Sequence, residues 1–168
     1  MTEQGGRELR VGIGYDIHRL KRGLPMVLGG VTLAHDRGPD AHSDGDVLAH
    51  AIGDALLGGL GLGDLGAHFP DSDARWRGAS SLSILEAIRG MLGGRGARVV
   101  NVDATLIAEA PRVGPHVAAM KENLGRALGV EPDRISVKAT TNERLGAIGS
   151  EEGIAAMAVV TVEVDSNP

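Results

Sequence analysis

Two short segments near the start of the chain carry the side chains best suited to chemistry. Asp16 and His18 lie in the first, and the second runs from His42 to His50. Together they contain three of the six histidines of the chain and several carboxylates. One Asp and two His are typical ligands of an open zinc site, in which a fourth position is left for water or substrate. The pattern predicts a metal that takes part in chemistry.

The first segment has the period of a β-strand, which determines how its polar side chains project. We expect one face to pack on the core and the other to carry the site. The expected core face is Val11, Ile13, Tyr15 and Ile17, and the expected site face is Gly12, Gly14, Asp16 and His18. Asp16 and His18 therefore project side by side, and the two glycines leave room for a ligand.

The second segment predicts a helix that begins at an N-cap, Ser43 or Asp44, and runs to about Gly61. Its expected buried stripe is Val47, Leu48, Ala51, Ile52, Ala55 and Leu56. His50 lies beside that stripe, and Asp46 or Asp54 could hold its second ring nitrogen. Either histidine alone would be interpreted as an ordinary polar-edge residue. Both of them together with Asp16 favour a metal site.

Composition excludes several classes of protein. The chain has 168 residues, which favours one domain; we expect a disordered tail over residues 1–9 and a single domain over 10–165. A net charge of −5 argues against binding to nucleic acid or to an anionic membrane. Zero cysteines exclude disulfides and cysteine-type zinc sites. No membrane-length apolar run or signal peptide is visible, which predicts a cytoplasmic protein.

The remaining pattern predicts an α+β fold. Its expected elements are a hairpin at 26–28 and 31–33, strands at 98–108, 135–140 and 153–164, and helices at 80–93 and 116–128. We predict a two-layer sandwich in which about three helices cover one face of a mixed four-stranded sheet. The last strand is apolar on both faces, which favours burial of the uncovered face in a cyclic assembly.

Four motifs occur in one order along the chain and together resemble a known family. They are Tyr15-Asp16-Ile17-His18; His42-Ser43-Asp44-Gly45-Asp46 with His50; Gly63-Asp64-Leu65-Gly66 with Phe69-Pro70-Asp71; and Ala139-Thr140-Thr141-Asn142-Glu143. The chain is similar in these motifs to the 2-C-methyl-D-erythritol 2,4-cyclodiphosphate synthases of the non-mevalonate isoprenoid pathway. These enzymes convert 4-diphosphocytidyl-2-C-methyl-D-erythritol 2-phosphate to the cyclic diphosphate and release CMP.

The resemblance implies a role for each matching residue. Asp16, His18 and His50 would bind Zn²⁺, and Glu143 would lie near a second ion, Mg²⁺ or Mn²⁺. His42 and Thr141 would act in catalysis, although Thr141 could also be a helix N-cap. The implied substrate contacts are Asp16, His18, His42, Ser43, Asp64, Leu65, Gly66, Phe69, Asp71, Asp73, Ala108, Ala110, Pro111, Arg112, Thr140, Thr141 and Glu143. The implied assembly is a homotrimer with active sites at the subunit interfaces.

The chain departs from the family pattern in one turn. Many members have an aromatic residue and an arginine where Ala147 and Ser150 stand here, and these line a cavity on the three-fold axis. We therefore predict that this cavity does not bind prenyl diphosphates tightly, because the guanidinium contacts to phosphate are missing. Two other functions remain open from the residues alone. They are a zinc-dependent phosphoesterase and a non-enzymatic oligomeric metal-binding domain.

Overall fold

A mixed sheet organises the fold of residues 6–166, the part of the chain that the computed structural model describes. The strands of this part are β1 (Arg7–Arg22), β2 (Met26–Leu28), β3 (Val31–Leu33), β4 (Arg37–Pro39), β5 (Ala97–Ile107), β6 (Ile135–Thr140) and β7 (Gly153–Asp165). Five of them form one sheet in the order β4-β1-β7-β5-β6, and β2 and β3 form a separate hairpin. Strands β5 and β6 are parallel, and the other neighbours in the large sheet are antiparallel.

The described residues form five α-helices, of which the longest three cover one face of the large sheet. The five are α1 (Val47–Gly59), α2 (Leu65–His68), α3 (Ser81–Gly93), α4 (Val117–Leu128) and α5 (Gly146–Gly149). The longest three pack in the order α1, α3, α4, and α1 contacts β1, β7 and β5. The predicted α+β fold is confirmed. The predicted count of four strands is wrong, because β4 adds a three-residue edge strand that is too short to show a period.

Helix α1 packs directly on the backbone of β1 at two glycines. A Cβ atom at Gly12 would lie 1.8 Å from the carbonyl oxygen of Ala55, and one at Gly14 would lie 1.9 Å from that of Ala51. The site face of β1 is therefore also the face that meets the helix. All six residues of the stripe predicted for α1 are buried.

The predicted core face of β1 is wrong for a single chain. Val11, Ile13, Tyr15 and Ile17 are 46–67% exposed, on the side of the sheet away from the helices. On the neighbouring strand, Met157 and Val159 are 43% and 44% exposed. These side chains, together with Leu9, form an apolar patch that we call the open face. Of the two apolar faces of the last strand, one is buried within the chain, through Ile154, Ala156, Ala158, Val160 and Val162; burial of the other in an assembly stays a prediction.

Two predicted boundaries differ from the structure. The predicted disordered tail is wrong for residues 7–9, which pair with β7 at the start of β1; residues 1–5 lie outside the described residues. Helix α1 begins at Val47, later than expected, because Asp46 and not Ser43 or Asp44 is its N-cap. Among residues 6–166, no helix is both long and apolar enough to cross a membrane.

Candidate metal centre

Three predicted ligands converge where β1 meets α1. Asp16 Oδ2 lies 3.0 Å from His18 Nε2 and 3.2 Å from His50 Nδ1. The two ring nitrogens are 3.3 Å apart. One ligand atom from each residue therefore faces a common point, all within 4.8 Å of one another. Residues 6–166 contain no second group of three His, Cys, Asp or Glu side chains with this geometry.

The Asp16 carboxylate fits a cation at this point. Its Oδ2 atom is buried, and although two imidazole nitrogens lie 3.0 Å and 3.2 Å away, none of the described residues donates a hydrogen bond of good geometry to it. A buried oxygen without a donor costs free energy unless something satisfies it. Burial raises the pKa of Asp16, but the imidazoles of His18 and His50 outweigh burial and lower that pKa below its usual range. The carboxylate is therefore ionised near neutral pH. An ionised carboxylate and two imidazoles are a donor set that zinc accepts.

The second ring nitrogen of His50 is held by two serines. His50 Nε2 lies 3.0 Å from Ser81 Oγ and 3.1 Å from Ser43 Oγ. The prediction that Asp46 or Asp54 holds this nitrogen is therefore wrong. Sequence reasoning missed Ser81 as a site residue, because it lies 31 positions after His50, at the first turn of α3.

Asp46 and Asp54 instead fix the loops around the site. Asp46 is fully buried; as the N-cap of α1 it accepts hydrogen bonds from Leu48 N and Ala49 N, and it also accepts one from Gly30 N. Burial outweighs these bonds and raises the pKa of Asp46 to about 6. Asp54 accepts a hydrogen bond of 2.8 Å from Leu65 N, which ties α1 to the start of α2.

An open pocket of about 800 Å³ contains the metal centre. Its lining includes these predicted site residues: Asp16, His18, His42, Ser43, His50, Asp64, Leu65, Gly66, Phe69 and Asp71. His42 Nε2 is buried and has no partner within residues 6–166, so it is free to bind a ligand. Asp73 does not line the pocket; it caps the turn at Ala74–Trp76 and binds Arg75. Asp40 and Trp76 line the pocket and were not predicted.

The remaining predicted residues form a second group at the ends of β5 and β6. Ala108 N donates a hydrogen bond to Thr140 O, which joins the segment 108–112 to the segment 140–143. Thr141 Oγ1 donates to Glu143 Oε1 and accepts from Glu143 N, both at 3.3 Å. The substrate contacts implied at 108–112 and the catalytic Thr141 implied by the resemblance thus lie in neighbouring segments.

The second group is far from the metal centre within one chain. In the strand register, Ile17 of β1 pairs with Ala155 of β7, and Ala155 pairs with Ile107 of β5. Ile107 in turn pairs with Thr140 of β6. Three strand spacings separate β1 from β6, or about 14 Å. Within one chain, the residues predicted to form the site therefore lie in two separate groups, which we call half-sites.

Comparisons with known proteins show the family of a chain with this fold and candidate metal centre. Residues 9–163 match the model of the YgbB family, and the chain belongs to that family. A relative from Synechocystis, named 2-C-methyl-D-erythritol 2,4-cyclodiphosphate synthase, is 58% identical over 90% of this chain and 94% of its own length.

Two further relatives carry the same name. One from Symbiobacterium thermophilum is 55% identical over 90% of this chain and 97% of its own length. A solved structure of a 2C-methyl-D-erythritol-2,4-cyclodiphosphate synthase in a CDP-bound form is 39% identical. It has a TM-score of 0.84 and covers 91% of this chain and 99% of that one.

Proposed function

We propose that this chain is a phosphorus–oxygen lyase that converts 4-diphosphocytidyl-2-C-methyl-D-erythritol 2-phosphate to 2-C-methyl-D-erythritol 2,4-cyclodiphosphate with release of CMP. Family membership and the names of the relatives support this activity. The observation that carries it is the cluster of Asp16, His18 and His50 inside a pocket that is also lined by the Asp64–Asp71 segment.

The metal of the cluster is proposed to be Zn²⁺, held by Asp16 Oδ2, His18 Nε2 and His50 Nδ1. When bound, Zn²⁺ supplies a Lewis acid that neutralises charge on a phosphate oxygen. The protein positions the substrate, since phosphoryl transfer needs orientation and charge stabilisation more than covalent help. Ser43, Asp64 and Asp71 offer polar groups to the methylerythritol phosphate from the pocket wall.

The second half-site is proposed to hold the cytidine diphosphate. The backbone of Ala108, Ala110, Pro111 and Arg112 would hold the base, and Thr140 would contact the diphosphate. Glu143 would bind a second divalent ion, Mg²⁺ or Mn²⁺, since carboxylate and phosphate oxygens suit a hard cation. His42 and Thr141 would stabilise the charge that develops on the transferred phosphoryl group.

A homotrimer is proposed to join the two half-sites. The separation of about 14 Å within one chain leaves each half-site without the other. The open face exposes seven large apolar side chains, which a soluble monomer rarely leaves uncovered. Cyclic assembly would cover that face and bring the β6 end of one subunit to the metal centre of its neighbour. A cytoplasmic location stays a prediction of the sequence.

Phosphorus NMR of the substrate incubated with protein tests the proposed reaction. Zinc-loaded protein with Mg²⁺ is expected to give one cyclic diphosphate and CMP, and a metal-free sample treated with chelator is expected to give neither. Hydrolysis to open-chain phosphates would instead indicate a zinc-dependent phosphoesterase. An unchanged substrate spectrum in the zinc-loaded sample would favour a non-enzymatic metal-binding domain.

A further inference from the structure

Ser81 is a fully buried polar residue that lies outside the four motifs. Its hydroxyl donates to Asp44 Oδ1, and its backbone N–H donates to Asp44 Oδ2 at 3.0 Å. The Asp44 carboxylate therefore accepts hydrogen bonds from both donors of Ser81. Ser81 is the first residue of α3, where a backbone N–H has no partner within the helix. These two hydrogen bonds hold the Ser81 oxygen 3.0 Å from His50 Nε2.

The direction of these hydrogen bonds indicates which ring nitrogen of His50 carries the proton, namely Nε2. A carboxylate only accepts, so the Ser81 hydroxyl hydrogen is used by Asp44. The Ser81 oxygen is then left as an acceptor, which favours an N–H on the His50 nitrogen that lies 3.0 Å from it. A neutral imidazole with its proton on Nε2 has a free lone pair on Nδ1. His50 Nδ1 is the atom that lies 3.2 Å from Asp16 Oδ2 and 3.3 Å from His18 Nε2.

Ser43 differs from Ser81 in its surroundings. Its oxygen also lies near His50 Nε2, at 3.1 Å, and accepts a hydrogen bond from Gly45 N. Ser43 lines the pocket and has no carboxylate that takes its hydroxyl hydrogen, whereas Ser81 lies behind the pocket wall.

We propose that Ser81 and Asp44 are positioning residues that hold the His50 ring and its Nε2–H tautomer for metal binding. This inference rests on the proposed zinc centre. Partners behind a metal-binding histidine fix the ring and raise its basicity, and their loss commonly weakens metal binding about 10–100-fold.

The first test compares zinc affinity, by chelator competition, in the wild type and two alanine variants. Ser81→Ala removes the hydroxyl but keeps the N–H bond to Asp44, and we expect a loss of about 10–100-fold in zinc affinity. Ser83→Ala is the matched control, since Ser83 lies on the same helix and its hydroxyl binds only Ser80 O. The control should bind zinc like the wild type. Equal affinity in Ser81→Ala and the wild type would overturn the positioning role alone.

The second test needs no variant. A nitrogen–proton correlation spectrum of the zinc-loaded wild type is expected to show His50 protonated on Nε2 and not on Nδ1. Protonation on Nδ1 would overturn the proposal. A wild type that binds no zinc would overturn both this proposal and the zinc centre on which it rests, so the two failures are distinguishable.

Discussion

Substitution of Gly14 by alanine tests how closely the metal centre depends on the contact between α1 and β1. The added Cβ would lie 1.9 Å from the carbonyl oxygen of Ala51, the residue next to His50. Real Cβ atoms essentially never approach another atom closer than 3.0 Å, so α1 must withdraw from β1 by more than about 1 Å. Metal sites tolerate errors of about 0.2 Å in ligand distance.

We therefore expect Gly14→Ala to lose zinc affinity by more than about 100-fold, beyond the usual effect of changes behind a ligand. Overpacking should also lower the free energy of unfolding by about 1–3 kcal/mol. For a chain of this size that corresponds to about 2–4 °C in Tm per kcal/mol. Zinc titration and calorimetry of the metal-free protein measure the two effects separately.

Gly58→Ala is the matched control on the same helix. A Cβ at Gly58 meets nothing closer than the Ile13 carbonyl oxygen at 3.9 Å. An alanine there should leave zinc affinity unchanged and raise the free energy of unfolding by about 0.5–1 kcal/mol, because glycine is a poor helix former. The packing argument is refuted if Gly14→Ala binds zinc and unfolds like the wild type.

Three further predictions concern catalysis, pH and the assembly axis. His42→Ala and Thr141→Ala should each lower kcat about 10²–10³-fold with little change in KM, as transition-state contacts do; a raised KM with unchanged kcat would make them binding groups only. The pKa of Asp46 is about 6 in the folded state and about 3.9 in the unfolded state. Between these two pH values the folded state binds more protons than the unfolded state, so the free energy of unfolding falls as pH rises through this window. Asp46→Asn should remove this pH dependence, so that in urea unfolding of the metal-free protein the variant gains up to about 3 kcal/mol relative to the wild type between pH 4 and pH 7. If the difference in free energy of unfolding between variant and wild type is the same at pH 4 and pH 7, the burial argument is refuted. Since Ser150 stands where the family resemblance implies an arginine, calorimetric titration with farnesyl diphosphate should show no low-micromolar binding, and such binding on the axis of the proposed trimer would contradict the prediction.

The sequence predicted that Asp16, His18 and His50 come together because the spacing rules that relate them are local. The period of β1 placed Asp16 and His18 on one face, and helix spacing placed His50 on a flank of α1. The same period could not say which face of β1 is covered. The open face looks like a core face in sequence, since its side chains are apolar, yet within one chain α1 packs on the glycines instead.

Contacts between residues that are far apart in the sequence could not be predicted from it. Ser81 reaches His50 only because α3 packs beside α1, and no spacing rule relates these two positions. The N-cap of α1 moved from the predicted Ser43 or Asp44 to Asp46, since Gly45 adopts a left-handed conformation (φ 72°) that extends the preceding loop. Sheet order, which separates the two half-sites, is likewise a property of the whole fold.

A mixing experiment tests most directly the claim that two chains complete one cyclodiphosphate synthase site. His50→Ala removes a ligand from the metal half-site, and Thr141→Ala disables the other half-site, so each variant alone should keep at most about 1% of the wild-type rate. If each site joins half-sites of two neighbouring subunits, random trimers from equal amounts of both variants contain intact sites at about one position in four. Phosphorus NMR should then show cyclic diphosphate forming at about a quarter of the wild-type rate. No recovered activity, from variants that are shown by mass to have mixed, would contradict the account.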